Sequence, residues 1–223
     1  MTITISNQMQ NLSPDFKIGV IQYHNITVED SPKMLAGRLQ LYQESLMLEA
    51  DEKPISSIEP IQEWRQLFKK AGTDPSRYRP SSEALLRRVY KGQQLGPIHS
   101  AADTNNFFSL QYKLPLGIYD LAHLKGDVAI DIGSEEDHYE AINGRNTDMK
   151  GKVLSRDATG AFGSPIIDSK RTMVTEDTKD ALHLVYFQPS LTEENAAEML
   201  DAIQKMFIQI HGGSATTEVV VAN

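Results

Sequence analysis

No cysteine occurs in the 223 residues. That absence removes thiol nucleophiles, thiolate-bound zinc and disulfide staples together, and makes a cytoplasmic setting the simplest reading. No apolar run approaches the ~20 residues that cross a bilayer, so no contact with a membrane is expected. Met1 to Asp15 is polar and has no basic stretch ahead of an apolar core, so no secretory leader is expected. The phosphate-binding Gly-x-x-x-x-Gly-Lys-Ser/Thr pattern is missing. Gly163-Ser164-Pro165 does not make the Gly-x-Ser-x-Gly elbow of serine hydrolases, and no general base is identifiable for Ser169 as a nucleophile. His99, His123, His138, His183 and His211 are scattered without a helical His-x-x-x-His frame. Glu135-Glu136-Asp137-His138 reads as a solvated acidic turn rather than a metal site. No metal and no cofactor is expected.

What is present suits one domain: 40% of the residues are hydrophobic, enough for a core over about residues 16–212 with both ends frayed. The net charge of -8 opposes non-specific nucleic-acid binding, yet it is unevenly spread. Between Ile61 and Gly92, eight basic residues face three acidic ones, a surplus of +5 that leaves -13 on the rest. Arg77, Arg79, Arg87, Arg88 and Lys91 are therefore candidate nucleic-acid contacts. The bland alternative is a set of helices with solvated charged faces.

Periodicity organises the chain. Phe16 to Val28 reads as a strand bulged at Gly19. Ser31-Pro32 predicts a helix with Ser31 as its cap, carrying Leu35, Leu39, Tyr42 and Leu46 at helical spacing. A polar loop, Asp51 to Ser57, precedes a second helix opened by Pro60. Its face of Ile61, Trp64, Leu67 and Phe68 favours core over a base-stacking platform for the sole tryptophan. Ser81 or Ser82 caps a third helix. Asp103 caps a fourth, which ends at Pro115. From there period two takes over, with strands expected at residues 127–132, 152–155, 171–175 and 181–187. Ser190-Leu191-Thr192-Glu193 is a capping box before a last helix, and Thr216 to Val221 is either an edge strand or a frayed tail. This order argues an α+β fold.

Two stretches carry candidate chemistry. The first is the helix entrance at Asp103, where Asn105 and Asn106 stand with outward amides; ordinary capping explains the same residues. The second runs from Asp157 to Thr172. Its small residues, Ala161 and Gly163 among them, let backbone approach a ligand. Asp168, Ser169 and Arg171 then supply a carboxylate, a hydroxyl and a guanidinium, suited to the ammonium and carboxylate of an amino acid. A hairpin loop closed by a surface Asp-Arg pair is the alternative. His183, inside an apolar strand, is a satisfied core or pocket residue.

The run Pro97-Ile98-His99-Ser100-Ala101-Ala102-Asp103-Thr104-Asn105-Asn106, followed at fixed spacing by Pro115-Leu116-Gly117-Ile118-Tyr119-Asp120, resembles the B3/B4 module of the bacterial phenylalanyl-tRNA synthetase β subunit. The resemblance fits residues of about 75–190. It implies a layered fold with a mostly antiparallel β core and flanking helices. It also implies that the Gly160 to Thr172 loop lines an editing pocket, with Asn105, Asn106 and Ser109 orienting the ligand and His183 near the position that reads its side chain. The Gly163 to Thr172 run, Gly-x-Pro-x-x-Asp-Ser-x-Arg-Thr, is similar to that of free-standing relatives. The chain departs from the module in two places: Gly117 stands where a histidine is usual, and Asn105-Asn106 replaces Thr-Asn. Nothing resembles an aminoacylation core, so a complete synthetase is excluded. The resemblance implies tRNA or aminoacyl-tRNA as a partner and hydrolysis of a mischarged ester as the reaction. A small-molecule (amino-acid) binding or sensing domain that never meets RNA, and a partner-docking domain, are the other two readings.

Overall fold

The computed structural model describes residues 1–50 and 54–222. Ser6 decides how the chain starts. Its hydroxyl accepts from the amide of Met9 at 3.2 Å, capping a short helix, α1 (Asn7–Leu12), behind a short strand, β1 (Ile3–Ile5). Both elements are too short to leave a periodic signal, and the sequence reading has neither. β2 (Lys17–His24) forms where expected, without a bulge. In α2 (Lys33–Leu48), Pro32 is the cap; the hydroxyl expected to cap it, that of Ser31, donates instead to Asp103 at 2.5 Å. The expected polar loop lies outside the described residues at 51–53, and Ile55–Ser57 is a 3-10 turn.

The two helices that follow are α3 (Glu59–Lys70) and α4 (Ser81–Tyr90). α3 has proline in its first turn as expected, whereas Pro80, not a serine, precedes α4. Trp64 is fully buried on α3. Its Nε1 donates to the carbonyl of Tyr186 at 3.1 Å, and its ring meets Phe16, Phe68 and Tyr186 edge to face. The indole is thus a core anchor with its one polar atom satisfied.

α5 (Ser100–Tyr112) is capped by His99, whose Nδ1 accepts from the Ala102 amide at 3.2 Å. Asp103 is therefore not the cap. It sits in the first turn, and its carboxylate accepts from the Ile98 amide, folding the Pro97 segment back on the helix. The helix closes on Lys113 in the left-handed region (φ 57°), two residues before Pro115.

The remaining strands are β3 (Leu116–Asp120), β4 (Val128–Ile132), β5 (His138–Glu140), β6 (Asn146–Asp148), β7 (Val153–Asp157), β8 (Gly160–Gly163) and β9 (Ala181–Tyr186). They are followed by α6 (Glu193–His211) and β10 (Ser214–Val221). One sheet runs β1-β4-β7-β8, the second β10-β2-β9-β3, and β5-β6 is a hairpin. β1 pairs with β4 in parallel and the other strand pairs are antiparallel, so the class is α+β with a mostly antiparallel β structure. The C-terminal segment is an edge strand along β2. The strand expected at residues 171–175 does not form; Lys170–Thr172 is a 3-10 turn and Met173 makes a single bridge to Tyr119.

Gly19 explains how α6 seats. A Cβ there would lie 2.6 Å from Leu200 and 2.7 Å from Phe187, so glycine lets the helix lie close to the strand. On that side Tyr23 stacks on Phe207 and Phe207 on His211, with centroids 3.9 Å apart in each case. β9, central between β2 and β3, carries His183 and Tyr186 fully buried. α5 packs against β3. These contacts fix the walls of the site.

Candidate functional site: a cavity around Asp168

Asn105 and Asn106 lie in the second turn of α5, not at its entrance. Their backbone amides sit too deep in the helix to be among its four unpaired N-terminal groups, so any contribution they make comes from their side chains. Both line a cavity of about 460 Å³ with apolar walls of Ile98, Ala102, Ile118, Ile142, Met173 and Val174. Ile98, Ile142 and Met173 are exposed and form an apolar rim. A second lobe of about 230 Å³ shares Asn105, Asn106, Ile142 and Asp168 with the first, and adds Ser109, Ser164 and Arg88.

Burial sets the chemistry of the Asn105 side. His183 Nε2 is 3.1 Å from Asn105 Oδ1, and its Nδ1 is 3.3 Å from the Tyr23 hydroxyl. Burial pushes His183 down to about 3 and Tyr23 well above its usual range, so both are neutral near pH 7. With the amide oxygen facing it, Nε2 must carry the proton, and Nδ1 then accepts from the tyrosine. His183 thus lies behind the wall as a positioning residue. It holds the Asn105 oxygen and leaves the amide nitrogen for the cavity.

Asp168 stands on the wall common to both lobes, between β8 and the 3-10 turn. It is deep in the protein, yet keeps accessible surface toward the cavity. Its Oδ1 accepts from the Tyr119 hydroxyl at 2.6 Å and the Ser164 amide at 3.4 Å; among the described residues nothing donates to Oδ2. Its carbonyl accepts from the Ile142 amide at 3.0 Å, which anchors the backbone. Desolvation pushes the carboxyl up to about 7, opposed in part by these two donors. Behind it runs a chain of hydroxyls: Tyr119 to Tyr186 at 3.3 Å, then Tyr186 to Ser155 at 2.8 Å.

Tyr119 also accounts for two glycines. A Cβ at Gly117 would lie 2.1 Å from its hydroxyl oxygen, and one at Gly163 would lie 2.3 Å away. The phenol fills the space that a side chain at 117 needs. The glycine that departs from the module's histidine is therefore the partner of a tyrosine–aspartate pair. Sequence reasoning missed Tyr119. The two glycines flanking its hydroxyl are the signal, but they are 46 residues apart and meet only in the fold.

The other candidates lie elsewhere. Arg171 does not share the cavity: its guanidinium grips Asp157 in bidentate fashion at 3.0 and 3.1 Å and also reaches the His123 carbonyl. This corrects the expectation that Asp168 and Arg171 clasp the two ends of one ligand. Arg171, Ser169 and Ala161 line a broader, open cleft of about 580 Å³. There Lys170 pairs with Glu140 at 3.2 Å and Asp137 with Arg156 at 2.6 Å. That cleft is the larger hollow, but the Asp168 cavity is the one that keeps unpaired polar atoms against an apolar wall. Ser169 is buried against Thr172, and the Ser109 hydroxyl donates to the Leu114 carbonyl at 2.7 Å.

In the basic segment, Glu83 is fully buried on α4 and gathers Arg65 (3.0 Å), Arg87 (2.8 Å) and, at 4.0 Å, Arg79. Arg77 lies over the Tyr78 ring. Arg88 and Lys91 form no ion pair among the described residues, and Arg88 borders the second lobe.

The fold and site define an α+β protein with a two-lobed, largely apolar cavity, into which an amide and a neutral-range carboxyl open. A family model for the B3/4 domain matches residues 63–205, and the chain belongs to that family. YhzB of Bacillus subtilis (strain 168), described as an uncharacterized protein, is 32% identical over 216 residues, covering 97% of this chain and 98% of YhzB. The phenylalanine–tRNA ligase β subunit of Fusobacterium nucleatum is 23% identical over 117 residues, which is 51% of this chain and 15% of that subunit. Among solved structures, an N-terminal fragment of the phenylalanyl-tRNA synthetase β subunit from Pyrococcus horikoshii aligns at 13% identity and a TM-score of 0.46. The alignment covers 96% of this chain and 50% of that one.

Proposed function

We propose that this B3/4 protein takes the aminoacyl end of a tRNA into the two-lobed cavity and hydrolyses the ester. The observation that carries the reading is the convergence of Asn105, Asn106 and Asp168 on a largely apolar hollow, in a B3/4 chain that is similar over half its length to a phenylalanine–tRNA ligase β subunit. An apolar side chain occupies the first lobe. The ribose end lies in the second, where Arg88 meets phosphate. The reading needs a compartment that holds charged tRNA, the cytoplasm. Among the described residues no helix is long and apolar enough to cross a membrane. Purified protein incubated with a panel of mischarged tRNAs should release free amino acid. Absence of both turnover and low-salt tRNA binding would defeat it.

A second reading is recognition of a free amino acid without RNA. The net charge of -8 and the capture of three arginines by Glu83 favour it. Thermal stabilisation by free amino acids, with no tRNA binding, would select it.

A further inference from the structure

One carboxyl oxygen of Asp168 has no partner among the described residues, and the other is held by two donors. Tyr119 and the Ser164 amide fix Oδ1 of Asp168, and the Ile142 amide fixes its carbonyl. Asp168 lines both lobes, as do Asn105 and Asn106. A ligand whose acyl group lies in one lobe and whose alcohol lies in the other places its ester bond at the wall these residues form. We propose that Asp168 is the general base of the hydrolysis, an assignment that rests on the ester-cleaving reading above.

The step balances without a co-reactant beyond water. The Asp168 carboxylate takes a proton from a water molecule in the cavity, and the oxygen forms a bond to the ester carbonyl carbon. The carbonyl electron pair moves to oxygen, and the asparagine side chains on the same wall supply N–H donors to the oxyanion. On collapse the bond from carbon to the ribose oxygen breaks. The proton on Asp168 passes to that oxygen, releasing an acid and an alcohol.

A base works best when its proton exchanges near the working pH, and desolvation brings Asp168 there, to about 7. Titratable groups face it from several elements. Tyr119 from β3, Tyr186 from β9 and Tyr139 from β5 are all pushed up by burial and stay protonated. His99, at the start of α5, is pushed down by burial. Arg88 on α4 is a fixed cation at the rim of the second lobe. Proton exchange thus replaces the ammonium-holding role that sequence alone suggests for Asp168.

The test is single-turnover deacylation of mischarged tRNA by the full chain, followed against pH and corrected for spontaneous hydrolysis. Wild-type rates should rise with pH and level off above about 7. Asp168→Asn should fall by roughly 10²–10⁴-fold and lose the inflection. Tyr119→Phe removes a donor that stabilises the carboxylate, so its inflection should move to higher pH. Its rate should drop at neutrality and recover in base, a pattern that a merely structural tyrosine does not produce. An Asp168→Asn protein with native circular dichroism and a wild-type rate overturns the assignment and leaves the hydrolase reading standing, as does a Tyr119→Phe profile with an unmoved inflection. A wild-type protein that cleaves no member of the panel overturns both.

Discussion

Placing an alanine at 117 sets one methyl group against a pinned phenol. The added Cβ would lie 2.1 Å from the Tyr119 hydroxyl oxygen, 2.6 Å from its ring carbon and 3.1 Å from Asp168 Oδ1. Tyr119 cannot retreat freely, because its hydroxyl also packs close to Gly163, where even a Cβ would lie 2.3 Å away, and Asp168 holds that hydroxyl at 2.6 Å. Overpacking of ~1–3 kcal/mol then adds to the loss of a hydrogen bond to a charged group, ~1.5–3 kcal/mol, so Gly117→Ala should cost roughly 3–5 kcal/mol. Tyr119→Ala should cost about as much, by the scale for buried aromatics. In the double variant the new methyl enters space that the phenol has left. The two costs should therefore fall short of additive by at least ~1–3 kcal/mol. Urea unfolding followed by circular dichroism measures all three variants, with an unchanged slope confirming that the native and unfolded states are comparable. Additivity within ~0.5 kcal/mol would show that the contact between residues 117 and 119 does not exist in solution.

His183 is neutral in the fold, so its contribution is present above pH 6.5 and is lost as pH falls toward about 3; Asp168 contributes below 3.8 and loses that contribution as pH climbs toward about 7. Each alone gives a slope of up to ~1.4 kcal/mol per pH unit, and they oppose one another where they overlap. Denaturation between those limits should show His183→Gln losing stability with rising pH and Asp168→Asn gaining it; parallel profiles would refute the assignment. Trp64→Ala removes a fully buried ring and the partner of the Tyr186 carbonyl, and should cost ~3–5 kcal/mol, read as a lowered melting temperature. If tRNA binds, Arg88→Ala should reduce the slope of log affinity against log salt by about 0.7–0.9. Arg87→Ala, whose charge is held by Glu83, should reduce it by less; equal reductions would remove Arg88 from the interface.

What could be read in advance divides along the range of the interactions. α3 and the helix over residues 193–211 are legible because their apolar spacing is a local signal, although Thr192, not Ser190 of the expected capping box, caps the latter. β2 and β9 are legible because short, mostly apolar runs suit buried central strands. The segment at residues 171–175 has the same alternation, yet a strand needs a neighbour along its whole length. β3 offers it one bridge, at Met173, and the chain turns instead. β8 is the converse case: glycines at both ends argue for a loop, but Gly163 is required where the Tyr119 hydroxyl arrives.

The site divides in the same way. Asn105, Asn106 and Asp168 are visible in sequence as groups able to hold a ligand, and the fold brings them to one wall. Their neighbours are not visible. Arg171 is as apt for a carboxylate as any residue in the chain, and it finds one in Asp157, 14 positions back across a hairpin, before any ligand arrives. Asp168, three positions earlier, meets only a phenol and a weakly placed amide among the described residues, and so keeps an oxygen open. A side chain's chemistry is written locally, but whether that chemistry stays free for function depends on which long-range partner reaches it first. Here that partner is Asp157 for the guanidinium, while for the carboxyl it is a tyrosine whose hydroxyl binds one oxygen and leaves the other free.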